Sequence, residues 1–172
     1  MEMLALYDRE GNPLNKVTKR DGALPQVAPG EYWWVCDVWI VNASGEILIQ
    51  RRALDRPNWP GYWCESAGGA IQAGETHEQG CARETMEEIG VRPDFERGHL
   101  AFVYTSKKAH HDVWVFRMDV PLESLTLQQE EVIDAKYVSP DELRRMNRDG
   151  EFVPVGYLDQ LLAMLPILLS AY

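Results

Sequence analysis

The chain has 172 residues, 45% hydrophobic, 26% charged and 10% aromatic. That supports one ordinary domain with a proper core and excludes a disordered polymer. The formal net charge of −10 excludes a broad polyanion-binding surface, so no nucleic-acid polymer is expected as a partner. A phosphate compound would need a local reversal of the field, which a bound divalent cation supplies.

Taken in chain order, Met3 to Tyr7 reads as a strand turned by Asp8 to Asn12. Residues 1–30 form an N-terminal hairpin or extension, and 31–172 the core of a single domain with a C-terminal helix. The start carries Glu2, Asp8, Arg9 and Glu10 around a short apolar run, which does not suit a signal peptide. Tyr32 to Val41 is aromatic and β-branched, a strand pattern. The Asn42-Ala43-Ser44-Gly45 turn leads into Glu46 to Arg52 as its partner. Ala53 to Tyr62 contains Pro57 and Pro60 and reads as loop. Thr76 with Gln79 makes a capping box ahead of a helix from His77 to Ile89, which Gly90 ends. Strands follow at Leu100 to Thr105, Asp112 to Val120 and Asp134 to Val138, and Ser139-Pro140-Asp141-Glu142 starts another helix. Val155 to Leu169 is a last helix, expected to bend at Pro166. Its apolar run is well short of the roughly 20 residues that span a bilayer. It suits a core helix or a homodimer surface, with no membrane partner. Cys36, Cys64 and Cys81 are odd in number and form no Cys-x-x-Cys pair. They suit packing in a cytoplasmic protein. Strands mixed with three helices, without strict alternation, predict an α+β sandwich: a mixed β-sheet between helices.

On a helical wheel, Cys81, Ala82, Thr85, Met86 and Ile89 are assigned to a core side, and Glu84, Glu87 and Glu88 to the opposite side. Three carboxylates within one turn repel each other unless something compensates them. Hard cations such as Mg²⁺ or Mn²⁺ do so, since they take carboxylate oxygens as ligands. Gly68-Gly69 lies just before the helix, Glu75 at its mouth and Arg83 among the acids.

These residues resemble the Nudix box, G-x5-E-x7-R-E-U-x-E-E-x-G-U, with U a bulky aliphatic. Gly69, Glu75, Arg83, Glu84, Glu87, Glu88, Gly90 and Val91 match it. Thr85 stands where an aliphatic is usual, a change that concerns packing. The resemblance implies the Nudix fold and a pyrophosphohydrolase acting on a small-molecule diphosphate by water attack. It implies metal carried by Glu84, Glu87 and Glu88 with the Gly68 carbonyl, and Arg83 braced against Glu75. Glu131, beside Glu130, is the candidate for the further acid that Nudix enzymes take from a later loop. Glu84 is the first choice of general base, and a Glu from that loop the second.

The stretch RRALDRPNWPGYW, Arg51 to Trp63, is similar to isopentenyl diphosphate isomerases, and the likeness extends over about Trp33 to Val91. It places Arg52 and Arg56 where those enzymes contact diphosphate. Trp59 and Tyr62 are candidates for stacking on the substrate. The isomerase cysteine, however, falls on Gly68 and its histidines on Ala70 and Trp33. An isomerase-like enzyme and a non-catalytic ligand-binding Nudix protein therefore stand as alternatives to the hydrolase. His110 and His111 are adjacent and point to opposite faces of a strand, so one of them can line a pocket.

Overall fold

The computed structural model describes residues 2–21 and 24–170. Strands β1 (Glu2–Tyr7) and β2 (Pro13–Arg20) form an antiparallel hairpin of their own. The Asp8 side chain holds its turn by accepting from the Glu10 and Asn12 amides. The main sheet is mixed. Its centre is β3 (Trp33–Val41), which runs parallel to β8 (Ala109–Arg117) along its whole length. The other edge of β3 is shared: β6 (Ala67–Ala70) pairs with its first half and β4 (Ile47–Arg52) with its end. β7 (Gly98–Thr105) lies outside β8, while β5 (Trp63–Cys64) and β9 (Val132–Val138) both pair with β4.

Alternation along β3 sorts the core into two layers. Cys36, Val38 and Ile40 pack with Cys81 and Ile89 of helix α1 (His77–Ile89). Trp39 and Val41 face the other way, onto Leu143 and Met146 of α2 (Pro140–Arg148) and Leu161, Leu162 and Leu165 of α3 (Leu158–Ser170). The expected sandwich is thus present, with α1 on one face and α2 and α3 on the other. No helix among the described residues is long and apolar enough to cross a membrane.

Several boundaries differ from the sequence reading. β5 and β6 fall between Tyr62 and the helix, in a stretch to which the sequence reading gives no strand. β6 is Ala-Gly-Gly-Ala, a poor strand former that exists because β3 offers it a ladder. β8 begins and ends three residues before the expected strand, since its register follows β3 from Trp33 opposite Ala109. α3 starts at Leu158, not Val155; a β-carbon on Gly156 would lie 2.3 Å from the Tyr104 hydroxyl, so this backbone is pressed against β7. Pro166 lies inside α3 without ending it.

Candidate active site

Helix α1 is fixed at both ends. Thr76 accepts from the Gln79 amide while the Gln79 side chain accepts from the Thr76 amide, and Gly90 closes the helix at φ 72°. Arg83 then ties the helix to the strand and loop before it. Its guanidinium donates to Glu75 Oε1 at 2.7 Å and Oε2 at 3.0 Å, to Glu84 Oε1 at 2.7 Å, to Glu87 Oε2 at 3.2 Å and to the Ala70 carbonyl at 3.0 Å. Glu75 also caps the loop by accepting from the Gln72 amide. The Arg83 hydrogen bonds hold the Glu75 carboxyl below its usual range.

The acids of α1 do not share one environment. Glu84 and Glu88 are only 7% and 4% exposed, whereas Met86 is 47% exposed. This corrects the wheel assignment, which put Met86 in the core and Glu84 and Glu88 opposite Cys81. Residues 81, 84, 85 and 88 lie within one helical stripe, and the stripe faces β6. Glu88 Oε2 accepts from the Gly68 amide at 2.9 Å and from Gln50 Nε2 at 2.8 Å. Glu84 lies under Gly69, where a β-carbon would sit 2.2 Å from the Glu84 carboxyl carbon. Glu87 is turned outward onto Arg83.

Burial pushes Glu84 up to about 7, against the pull of Arg83. Burial, reinforced by Glu84, pushes Glu88 up to about 8. Groups raised in the folded state bind more protons folded than unfolded, so their stabilising effect is lost as pH rises from about 4.5 through these values. The metal-free chain should therefore lose thermal stability from pH 5.5 to pH 8.5. Adding a divalent cation at the upper pH should restore it, and Glu88→Gln should flatten the dependence. Melting curves with chelator and with cation measure this.

A cleft of about 260 Å³ opens over these groups. Gly68, Gly69, Glu84 and Glu88 line it, together with Arg52, Arg56 and Glu131. The hairpin adds Glu2, Arg20 and Asp21, three residues the sequence reading did not place here. Arg56 pairs with Glu131 at 3.1 Å, and its Nε is buried without a partner; Arg52 Nε donates to the Asn58 carbonyl at 3.0 Å. Trp59 and Tyr62 pack edge to face with each other, and Tyr62 lines a different cavity with Arg51, Trp63 and Glu151. Among the described residues no three His, Cys, Asp or Glu side chains stand close enough to share an ion. The donor set still suits a hard cation. It comprises two buried carboxylates without full charge compensation, the adjoining Gly68, and Gln50, whose Oε1 is buried and unpartnered beside Glu88.

Behind Gly68-Gly69, on the α3 face, lies a cavity of about 570 Å³ lined by Asp37, Glu65 and His111 among others. Asp37 Oδ2 accepts from the Tyr157 hydroxyl at 2.6 Å and lies 2.9 Å from His111 Nδ1. Burial opposes charge on His111, but Asp37, Glu65 and Asp112 together raise the imidazole. Burial, then Asp37, pushes Glu65 up to about 7. Of these, the sequence reading noted only that one of His110 and His111 can line a pocket. A lone Asp inside the apolar run WWVCDVWIV was the available signal. His110 is buried in the fold, bonded to the Thr105 hydroxyl and the Asp8 carbonyl.

A family model described as the NUDIX domain matches residues 32–155. An uncharacterized Nudix hydrolase of Listeria monocytogenes is 42% identical over 136 residues, covering 79% of this chain and 80% of that one. An isopentenyl-diphosphate Delta-isomerase of Brevibacterium linens is 32% identical over 152 residues, covering 84% and 80%. A crystal structure from Deinococcus radiodurans superposes with a TM-score of 0.75 at 24% identity, covering 94% of this chain and 98% of that one, and shares the fold. The chain belongs to the Nudix family. Within it, this is a Nudix pyrophosphohydrolase.

Proposed function

We propose that the chain hydrolyses a diphosphate linkage in a small organic substrate, with Mg²⁺ or Mn²⁺ held by Glu84, Glu88 and the Gly68 carbonyl. The observation that carries this reading is the burial of Glu84 and Glu88 against the Gly68-Gly69 strand, in a cleft that Arg52 and Arg56 also line. A cation there would neutralise phosphoryl oxygens and acidify a water. The two arginines offer planar donors to the remaining phosphate oxygens. Glu131, paired with Arg56, would orient that guanidinium, and is the second choice of base for the attacking water. Glu87 serves Arg83 first, and reaches the cleft only by releasing that pair.

The isomerase alternative is favoured by the Brevibacterium relative and the RRALDRPNWPGYW stretch. Gly68 opposes it, because a glycine supplies no thiol at the position that the resemblance gives to the catalytic cysteine. Purified protein incubated with Mg²⁺ or Mn²⁺ and a panel of nucleoside and prenyl diphosphates should release phosphate or a monophosphate from at least one. Dimethylallyl diphosphate formed from isopentenyl diphosphate, with no hydrolysis of any compound, would replace this reading with isomerisation.

A further inference from the structure

The cavity behind the glycine strand is not explained by hydrolysis at a metal. Three of its lining residues, Gly68, Gly69 and Arg20, also line the acidic cleft. The two spaces are therefore neighbours across Arg20 and the glycines, with the larger one next to any ligand whose phosphates sit in the cleft. We propose that this cavity receives the organic half of the diphosphate, and that it selects a flat ring presenting hydrogen-bond donors, such as the amino edge of a nucleobase. A hydrocarbon chain or a keto-edged ring would be disfavoured. The inference rests on the hydrolase reading for the position of the phosphates, and deepens it by naming the substrate class.

The polar groups of the cavity carry the argument. Tyr157 and His111 both contact Asp37 Oδ2, and His111 Nε2 lies 3.2 Å from Ser106 Oγ, so this set is internally occupied. Glu65 is not. Its Oε2 is buried with no hydrogen-bond partner. Its Oε1 lies against the Gly68 backbone, where a β-carbon would come within 2.9 Å. The charged groups around it are Asp37, Arg52 and His111. A buried acceptor of this kind calls for a donor from a ligand. A hydrocarbon tail supplies none, and above about pH 7, where Glu65 is ionised, a keto oxygen would bring lone pairs against a carboxylate. Trp33, Val35, Pro154 and Val155 supply apolar surface for the faces of a ring. Lys107 and Lys108 at the rim add positive charge on the approach.

The test measures equilibrium binding of 5′-monophosphates to the full chain without metal at pH 8.5, above the value to which Glu65 is raised. Cytidine is compared with uridine, adenosine with inosine, and geranyl monophosphate serves as the hydrocarbon control. In at least one pair the amino-bearing member should bind about tenfold more tightly than its keto partner, and more tightly than geranyl monophosphate. In Glu65→Gln, whose amide can donate as well as accept, that ratio should fall towards one. Equal binding within both pairs overturns the inference. So do tightest binding of geranyl monophosphate, no binding of any compound at millimolar concentration, or an unchanged ratio in a folded Glu65→Gln. Because neither metal nor turnover enters the measurement, it can fail while hydrolysis stands, or succeed while hydrolysis is absent.

Discussion

Glu88→Gln is expected to reduce hydrolysis about a thousandfold or more while leaving the fold in place. The side chain is buried and accepts at one oxygen from both the Gly68 amide and Gln50. Glutamine preserves the volume and one carbonyl oxygen, so the two donors keep an acceptor. The negative charge, which burial and Glu84 make costly in the absence of a cation, is removed. The variant should therefore melt at or above the parent temperature in chelator and gain little from added Mg²⁺ or Mn²⁺. Loss of turnover together with loss of the cation-induced stabilisation would separate a metal ligand from a residue that merely packs. A Glu88→Gln protein with parental turnover would remove the cation from this cleft.

Gly69→Ala should be nearly as damaging, by a different route. Its new methyl would lie 2.2 Å from the Glu84 carboxyl carbon and 2.4 Å from each of its oxygens. Neither partner is free to give way. The Gly69 backbone is paired across from Cys36 in β3, and Glu84 is held from its other side by Arg83. The clash must displace the carboxylate or push β6 off the sheet, so activity should fall at least about a hundredfold, with a stability cost of about 1–3 kcal/mol. Turnover assays with melting curves distinguish this from simple unfolding: a protein that melts within a few degrees of the parent yet turns over normally would show that Glu84 is dispensable where it stands.

The parts legible in the sequence were those encoded locally. The capping box at Thr76, the stop at Gly90 and the spacing of Arg83 and the acids are all short-range patterns, and α1 runs from His77 to Ile89 as they require. The parts that escaped depend on partners distant in sequence. Ala67–Ala70 is a strand only because β3 lies beside it. The helical wheel puts Glu84 and Glu88 on the side opposite the core stripe, whereas both are buried against β6, a tertiary fact that hydropathy cannot carry. Arg20 and Glu65 sit in no motif, and reach the two cavities through the hairpin and the β5–β6 turn. Tyr157 is 120 residues from the Asp37 it holds, a separation beyond any local pattern.

The hairpin has a wider bearing. It lies outside residues 32–155, yet it docks on the chain through the Tyr7–Tyr32 bridge, the Ala73 amide on the Met3 carbonyl and His110 on the Asp8 carbonyl. In that position its end walls both the acidic cleft and the neighbouring cavity. The lining of the two spaces is therefore drawn from separate stretches of the gene, one inside the family-matched region and one before it. Exchanging the first thirty or so codons between relatives is a route to altered selectivity, with Glu2, Arg20 and Asp21 as the positions to hold constant because they also line the acidic cleft.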